Sequence, residues 1–286
     1  MKEYRRQGFT LIELSIVLVI IGLIIGGVLV GRDLINTATI RSQISQIEKY
    51  NTVVNTFRVK YGYLPGDIPD PAATSIGLTP RGTAEGQGDG NGILEGSSTS
   101  GGGCFAGYYW ACPSNGESGV FWADLAYVGL IGGSYSFASI TDGISIGSYS
   151  GSAVDQFFPR AKIGNNNYVY VWSSNGSNFF AVAGNITINS SFNSYSGMTV
   201  LQAYAIDNKI DDGMPFSGNV TVYYLGQTGW NNKVYSLGAP GDALSVSPSD
   251  TTCADANGGG NFGTRYYSIG WKGGEGVNCA LSFRFQ

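Results

Sequence analysis

Glu13 is the residue whose position most calls for a chemical explanation. It is the only charge between Phe9 and Val30, and an ionisable side chain inside so apolar a stretch is costly enough to be read as functional. Two other groups of carboxylates could do metal chemistry. In Gly88-Asp89-Gly90-Asn91-Gly92-Ile93-Leu94-Glu95, the oxygens of Asp89, Asn91 and Glu95 are spaced by glycines that permit a tight turn, a donor set suited to calcium. The stretch lacks the third acidic position and the full spacing of an EF-hand, and a plain turn favours the same residue types. The second group, Ile206 to Pro215, gathers Asp207, Asp211 and Asp212 around Lys209. Carboxylates that close repel unless a cation balances them; a turn capping the preceding helix is an equal reading.

Cys104, Cys112, Cys253 and Cys279 all lie beyond the apolar segment. Four cysteines allow three pairings. The favoured one is local, Cys104 to Cys112 and Cys253 to Cys279, in an oxidising compartment. Zinc is the rival, but the spacings are not the short steps of a zinc site and the chain has no histidine. That absence also excludes Ser-His-Asp and Cys-His catalysis. No other catalytic motif stands out, so the chain reads as a non-enzyme.

The elements that must position these residues begin with the apolar run itself. At about 1.5 Å per residue, Phe9 to Val30 extends roughly 33 Å, enough to cross a hydrocarbon core of about 30 Å. Residues 1–8 carry Lys2, Arg5 and Arg6 against Glu3, which keeps them cytoplasmic and exports the chain beyond Arg32. An ordinary secretory signal would have a shorter apolar part followed by a small-residue cleavage site, and it would leave Glu13 without a role. After Gly31, Ile40, Ile44, Ile47, Val54, Phe57 and Tyr61 form one helical stripe, with Arg41, Gln43, Gln46, Lys49 and Asn55 on the other face. Tyr61-Gly62-Tyr63-Leu64-Pro65-Gly66-Asp67 stops the helix. One helix is therefore expected from about Phe9 to Tyr61.

Beyond it, residues 66–119 read as loop and Ser118–Ile131 as a short amphipathic helix. Tyr168–Trp172 and Phe179–Ala183 read as strands of a hairpin, with Ser173–Asn178 as its turn. Met198–Ile206 reads as a helix, Val220–Tyr224 as a strand and Ala280–Phe285 as a terminal strand.

Gly8-Phe9-Thr10-Leu11-Ile12-Glu13 closely resembles the processing site of type IV pilins and type II secretion pseudopilins. The resemblance is specific over Gly8 to about Tyr61 and general beyond. It implies that a prepilin peptidase cuts after Gly8 and methylates the new amino terminus at Phe9. It also implies that Glu13 pairs with the Phe9 ammonium of a neighbouring subunit during assembly, a buried pair being tolerable where either charge alone is not. Many type IV pilins carry a helix-breaking proline where this chain has Val30; here Gly22, Gly26 and Gly27 are the weak points instead. The implied fold is α+β: a long N-terminal helix packed on an antiparallel sheet domain with large insertions. The expected organisation is a leader at 1–8, a membrane and filament-core helix at 9–30, its amphipathic exported half at 31–64, and a globular α+β domain at 65–286.

Removal of residues 1–8 takes the formal net charge from −4 to −6. Acidity with scattered Lys and Arg gives no footprint for nucleic acid. The expected function is a structural subunit of a bacterial type IV pilus or pilus-like filament. The alternatives are a pseudopilin of a type II secretion system, and a membrane-tethered adhesin or glycan-binding module, the last suggested by 18 tyrosines. Sheet packing and subunit contacts use the same aromatic residues. The expected partners are other copies of the chain, the prepilin peptidase, an inner-membrane assembly platform and minor pilins or pseudopilins. The expected location is the inner membrane, single-pass, and then a periplasmic or surface filament. The only cofactor expectation is calcium.

Overall fold

A computed structural model describes residues 10–96, 113–137, 140, 148–188, 192–225, 234–235, 252–255, 266–270 and 272–285. Helix α1 spans Leu11–Tyr61 without a break, about 76 Å at 1.5 Å per residue. Thr10 caps its first turn. The Thr10 hydroxyl accepts from the Glu13 N–H, and the Glu13 carboxylate accepts from the Thr10 N–H, so two otherwise orphaned backbone donors are satisfied together. At the other end Gly62 takes φ +83° and donates its N–H to the Arg58 carbonyl, a left-handed cap that residues with a Cβ resist.

The two halves of α1 live in different surroundings. From Leu11 to Ile35 the apolar side chains are exposed. From Ile40 onward, Ile40, Ile44, Ile47, Tyr50, Val53, Val54 and Phe57 are buried against the rest of the chain. Gln43, expected on the polar face, is instead fully buried. Its Oε1 accepts from the Lys162 N–H at 2.7 Å, because the chain at residues 160–163 crosses α1 there and its backbone donor needs a partner.

The remaining helices are α2 (Ala72–Ser75), α3 (Gly116–Tyr127) and α4 (Val200–Ile210). The strands are β1 (Tyr149–Ser150), β2 (Asn167–Ser174), β3 (Ser177–Ile188), β4 (Phe192–Tyr195), β5 (Val220–Thr221), β6 (Tyr224–Leu225), β7 (Val234–Tyr235), β8 (Ala254–Asp255), β9 (Tyr266–Tyr267) and β10 (Leu281–Arg284). Among the described residues the main sheet is antiparallel and centred on β3. Strands β2 and β10 pair its opposite edges, β5 lies beyond β10, and β1 and β4 pair its C-terminal half. Asn175 and Gly176 at the β2–β3 turn have φ +49° and +72°, the left-handed pair that a two-residue hairpin requires. The turn is thus shorter than the six residues expected for it. Strands β6 with β7 and β8 with β9 form two small ribbons.

Both faces of the β2–β3 hairpin are covered, so its residues are buried almost without alternation. Phe180 faces α1 and α3, with ring centroids 5.9 Å from Tyr50 and 6.1 Å from Trp122. Tyr170 faces the opposite side, 4.9 Å from Phe192 and 6.2 Å from Phe158. Helix α3 is wedged beside α1 through Tyr50 and Trp122, 4.8 Å apart edge to face. A long helix on an antiparallel sheet makes the fold α+β and pilin-like.

Several element boundaries differ from the sequence expectation: β2 and β3 run longer than expected, β10 is shorter, and α2 lies in a stretch expected to be loop. Helix α3 starts at Gly116 and ends at Tyr127, earlier than Ser118–Ile131. Helix α4 starts at Val200, after a Thr199–Gln202 capping box, and continues to Ile210. The expected strand Val220–Tyr224 is split into β5 and β6, which pair with different strands.

Candidate functional site

The apolar half of α1 is the first feature with a chemical consequence. It is long and apolar enough to cross a membrane, and among the described residues its most apolar window is packed against nothing else. Within it the Glu13 carboxylate turns toward the helix start, with Oε2 2.8 Å from both the backbone nitrogen and the hydroxyl of Thr10. That orientation aims the charge at the end of the helix where residue 9 precedes it. Gly8 and Phe9 themselves lie outside the described residues.

The loop at residues 82–96 is the second feature. Asp67, Asp89 and Glu117 each offer a carboxylate oxygen, all within 4.8 Å of one another. Asp67 is brought there by the turn after α1 and accepts from the Gly90 and Gly92 N–H groups at 2.7 and 2.8 Å. Glu117, in the first turn of α3, accepts from Gly88, Asp89 and Glu95 N–H groups at 2.8, 3.2 and 3.0 Å. Of the expected donors Asp89, Asn91 and Glu95, the structure keeps Asp89 in this cluster. Asn91 serves the turn: its amide nitrogen donates to Asp89 Oδ2 and its Oδ1 accepts from the Ile93 N–H. Glu95 Oε2 is buried without a hydrogen-bond partner among the described residues.

Burial, and then neighbouring carboxylates, set the protonation of this group. Burial is the main cause that pushes Asp67 up to about 6, with Asp89 adding to it. Glu95 is pushed up to about 7 by burial and by Glu85, Asp89 and Asp67. Glu117 is raised well above the usual carboxylate range by burial and Asp67. Such a convergence of hard oxygens could hold a divalent cation such as calcium. Asp67 and Glu117 carry no signal in the sequence pattern. Asp67 reads only as part of a helix stop and Glu117 only as the end of a loop-like stretch before Ser118, and their meeting is purely tertiary.

A single ion pair underpins the loop from below. Arg81 is fully buried and bonds Asp124 at 2.5 Å, while Asp124 also accepts from the Gly66 N–H at 2.7 Å. The backbone of the turn carrying Asp67 is thereby tied to α3.

The second acidic group is built differently. Asp207, Asp211 and Asp212 do come within 4.8 Å, but Asp207 lies on α4 rather than in the following turn. It is fully buried and accepts from the Tyr267 hydroxyl at 2.7 Å and the Gly213 N–H at 3.1 Å. Burial raises it to about 6. Asp211 accepts from the Asn219 and Val220 N–H groups, and Asp212 from the Met214 N–H and Ser217 hydroxyl. These bonds are those of a turn that closes the end of α4. Of the tyrosines that suggested an adhesive surface, Tyr267 is buried by the same geometry, while Tyr108 and Tyr109 lie outside the described residues.

Cys253 and Cys279 are joined in a disulfide with Cα atoms 5.0 Å apart. It ties the β8–β9 ribbon to the segment that enters β10. Cys104 and Cys112 lie outside the described residues.

Residues 4–29 match a family model described as the prokaryotic N-terminal methylation motif. The match takes in Arg5, Arg6, Gly8-Phe9 and nearly all of the apolar run with its single carboxylate. The chain carries a prepilin-type signal. This signal is of the kind found on pilins and pseudopilins, and the apolar helix behind it fits a membrane anchor. No curated protein and no solved structure matches the chain. The matched segment ends within α1, so the match identifies the prepilin signal and not the domain that follows it.

Proposed function

We propose that this chain is a structural, non-enzymatic subunit of a bacterial type IV pilus or pilus-like filament. The observation that carries the reading is the prepilin signal running into an exposed apolar helix with Glu13 as its only charge. Prepilin peptidase cuts between Gly8 and Phe9 and methylates Phe9. The subunit waits in the inner membrane, and an assembly platform extracts it into a bundle of apolar helices whose exported domains form the outer surface. Pairing of Glu13 with the Phe9 ammonium of a neighbour sets the axial register. Calcium is proposed as the ligand of the oxygens around Asp67, Asp89 and Glu117.

Filaments sheared from cells test the reading. They should contain this chain as a main component, and mass spectrometry should find a methylated Phe9 at its amino terminus. An intact Met1, or cleavage near Gly27, would overturn the processing. A chain found only at trace level beside a secretin-type apparatus would move the reading to a type II secretion pseudopilin. Binding of the protein to a glycan array, without filaments, would move it to a tethered adhesin.

A further inference from the structure

The exported half of α1 carries a basic groove that the functions above do not use. It is about 550 Å³ and lies between Ser42, Gln46 and Lys49 of α1 and the Pro159–Lys162 segment. Three cations line it: Lys49, Arg160 and Lys162. Arg160 is paired with Asp155 at 2.7 Å. Lys49 and Lys162 form no salt bridge among the described residues, and both are exposed. The groove therefore presents two uncompensated positive charges on a chain whose net charge is negative.

The geometry points to this groove as a docking site for a second copy of the chain, through the outer rim of its residue 82–96 loop. That rim holds Glu85 and Asp89, both exposed and without a cationic partner among the described residues. The other acidic turn is a poorer match, because Asp207 is buried and Asp211 half-buried, which leaves Asp212 as the exposed carboxylate of the three. Charge complementarity of this kind sets register and partner choice more than raw affinity.

Placement along α1 supports the same partner. The groove is centred near Gln46, whereas the acidic loop sits beside Tyr63 at the far end of the helix, where Gly90 packs on the Tyr63 ring. About 16 residues of helix separate the two levels, roughly 24 Å. The patches cannot meet within one subunit. They do meet between parallel copies offset by that distance along α1. An interface that joins two different patches is head-to-tail, and such interfaces propagate into open helical assemblies unless the rotation closes a ring. The inference rests on the filament reading and adds to it a specific lateral contact, outside the apolar helix bundle.

Zero-length carbodiimide cross-linking of filaments assembled from mixed nitrogen-14 and nitrogen-15 chains tests it. The expected products are isotopically mixed peptide pairs joining Lys49 or Lys162 to Glu85 or Asp89. The charge reversal Lys49→Glu with Lys162→Glu should lower filament yield about tenfold, the scale of losing two exposed ion pairs and gaining repulsion, and adding Glu85→Lys should recover part of it. Filaments that form normally but cross-link only elsewhere would overturn the docking and leave the filament reading standing. Cells that process the chain yet form no filament would overturn both.

Discussion

At the residue scale, the acidic loop shows how little of a site a local pattern reveals. Asp89 was legible because Asp, Asn and Gly alternate around it. Asp67 and Glu117 were not, because a turn 22 residues before Asp89 and a helix start 28 residues after it converge only through loop backbone donors. The same tertiary logic put Gln43 inside, where its carbonyl serves a crossing backbone that no helical stripe can foresee. The carboxylates of this loop make a pH prediction with a definite sign. Asp67 at about 6 and Glu95 at about 7 lie above the unfolded range, as does Glu117. The folded chain therefore holds more protons than the unfolded one between about pH 4 and 7, and stability falls as pH rises through that window. In chelator, the melting temperature of the full chain in detergent should rise on going from about pH 8 to about pH 5. Calcium binds the ionised forms, so its stabilisation should be greatest at about pH 8, near 2.7 kcal/mol at a hundred times the dissociation constant, and fade toward pH 5. Asp89→Ala should shrink it. Identical melting curves with calcium and with chelator would reduce the loop to a hydrogen-bonded turn.

At the element scale, α1 and the β2–β3 hairpin were legible because each has its own period and its own stop signal. The splitting of Val220–Tyr224 was not, since β5 and β6 differ in which strand they pair with and not in composition. The two-sided burial of the hairpin was also hidden: it depends on α1 and α3 covering one face and the 157–158 and 192 aromatics the other. Neighbouring positions on α1 give a sharp test of this packing. Phe57 is 0% exposed and Val59 is 88% exposed, though they are two residues apart on one helix. Phe57→Ala should cost about 3–5 kcal/mol through lost burial and a residual cavity, while Val59→Ala should stay within about 0.5 kcal/mol. Denaturant melts of the full chain in detergent would measure both. Equal effects would mean that α1 does not dock on the sheet along the Ile40–Phe57 stripe.

At the scale of the whole molecule, one helix joins an exposed apolar segment to a packed core. The core begins at Ile40, some 27 residues or about 40 Å of helix beyond Glu13. Among the described residues Glu13 hydrogen-bonds Thr10 and nothing in the core, so its removal should leave that core undisturbed. Its second oxygen accepts no hydrogen bond among the described residues and can face a neighbour. Glu13→Gln keeps the side-chain shape and a carbonyl for the Thr10 cap but removes the charge. A neighbouring Phe9 ammonium would then sit unpaired in an apolar bundle, and breaking a buried pair by removing one partner costs about 3–5 kcal/mol, a loss repeated at every subunit contact. The variant should insert, be processed at Gly8 and melt like the parent, yet fail to enter filaments when it is the sole copy. Mixed with the parent chain it should enter at reduced frequency, because each variant leaves one contact unpaired rather than all of them. Normal filament yield from cells making only Glu13→Gln would remove the pairing mechanism and leave Glu13 as the helix cap alone.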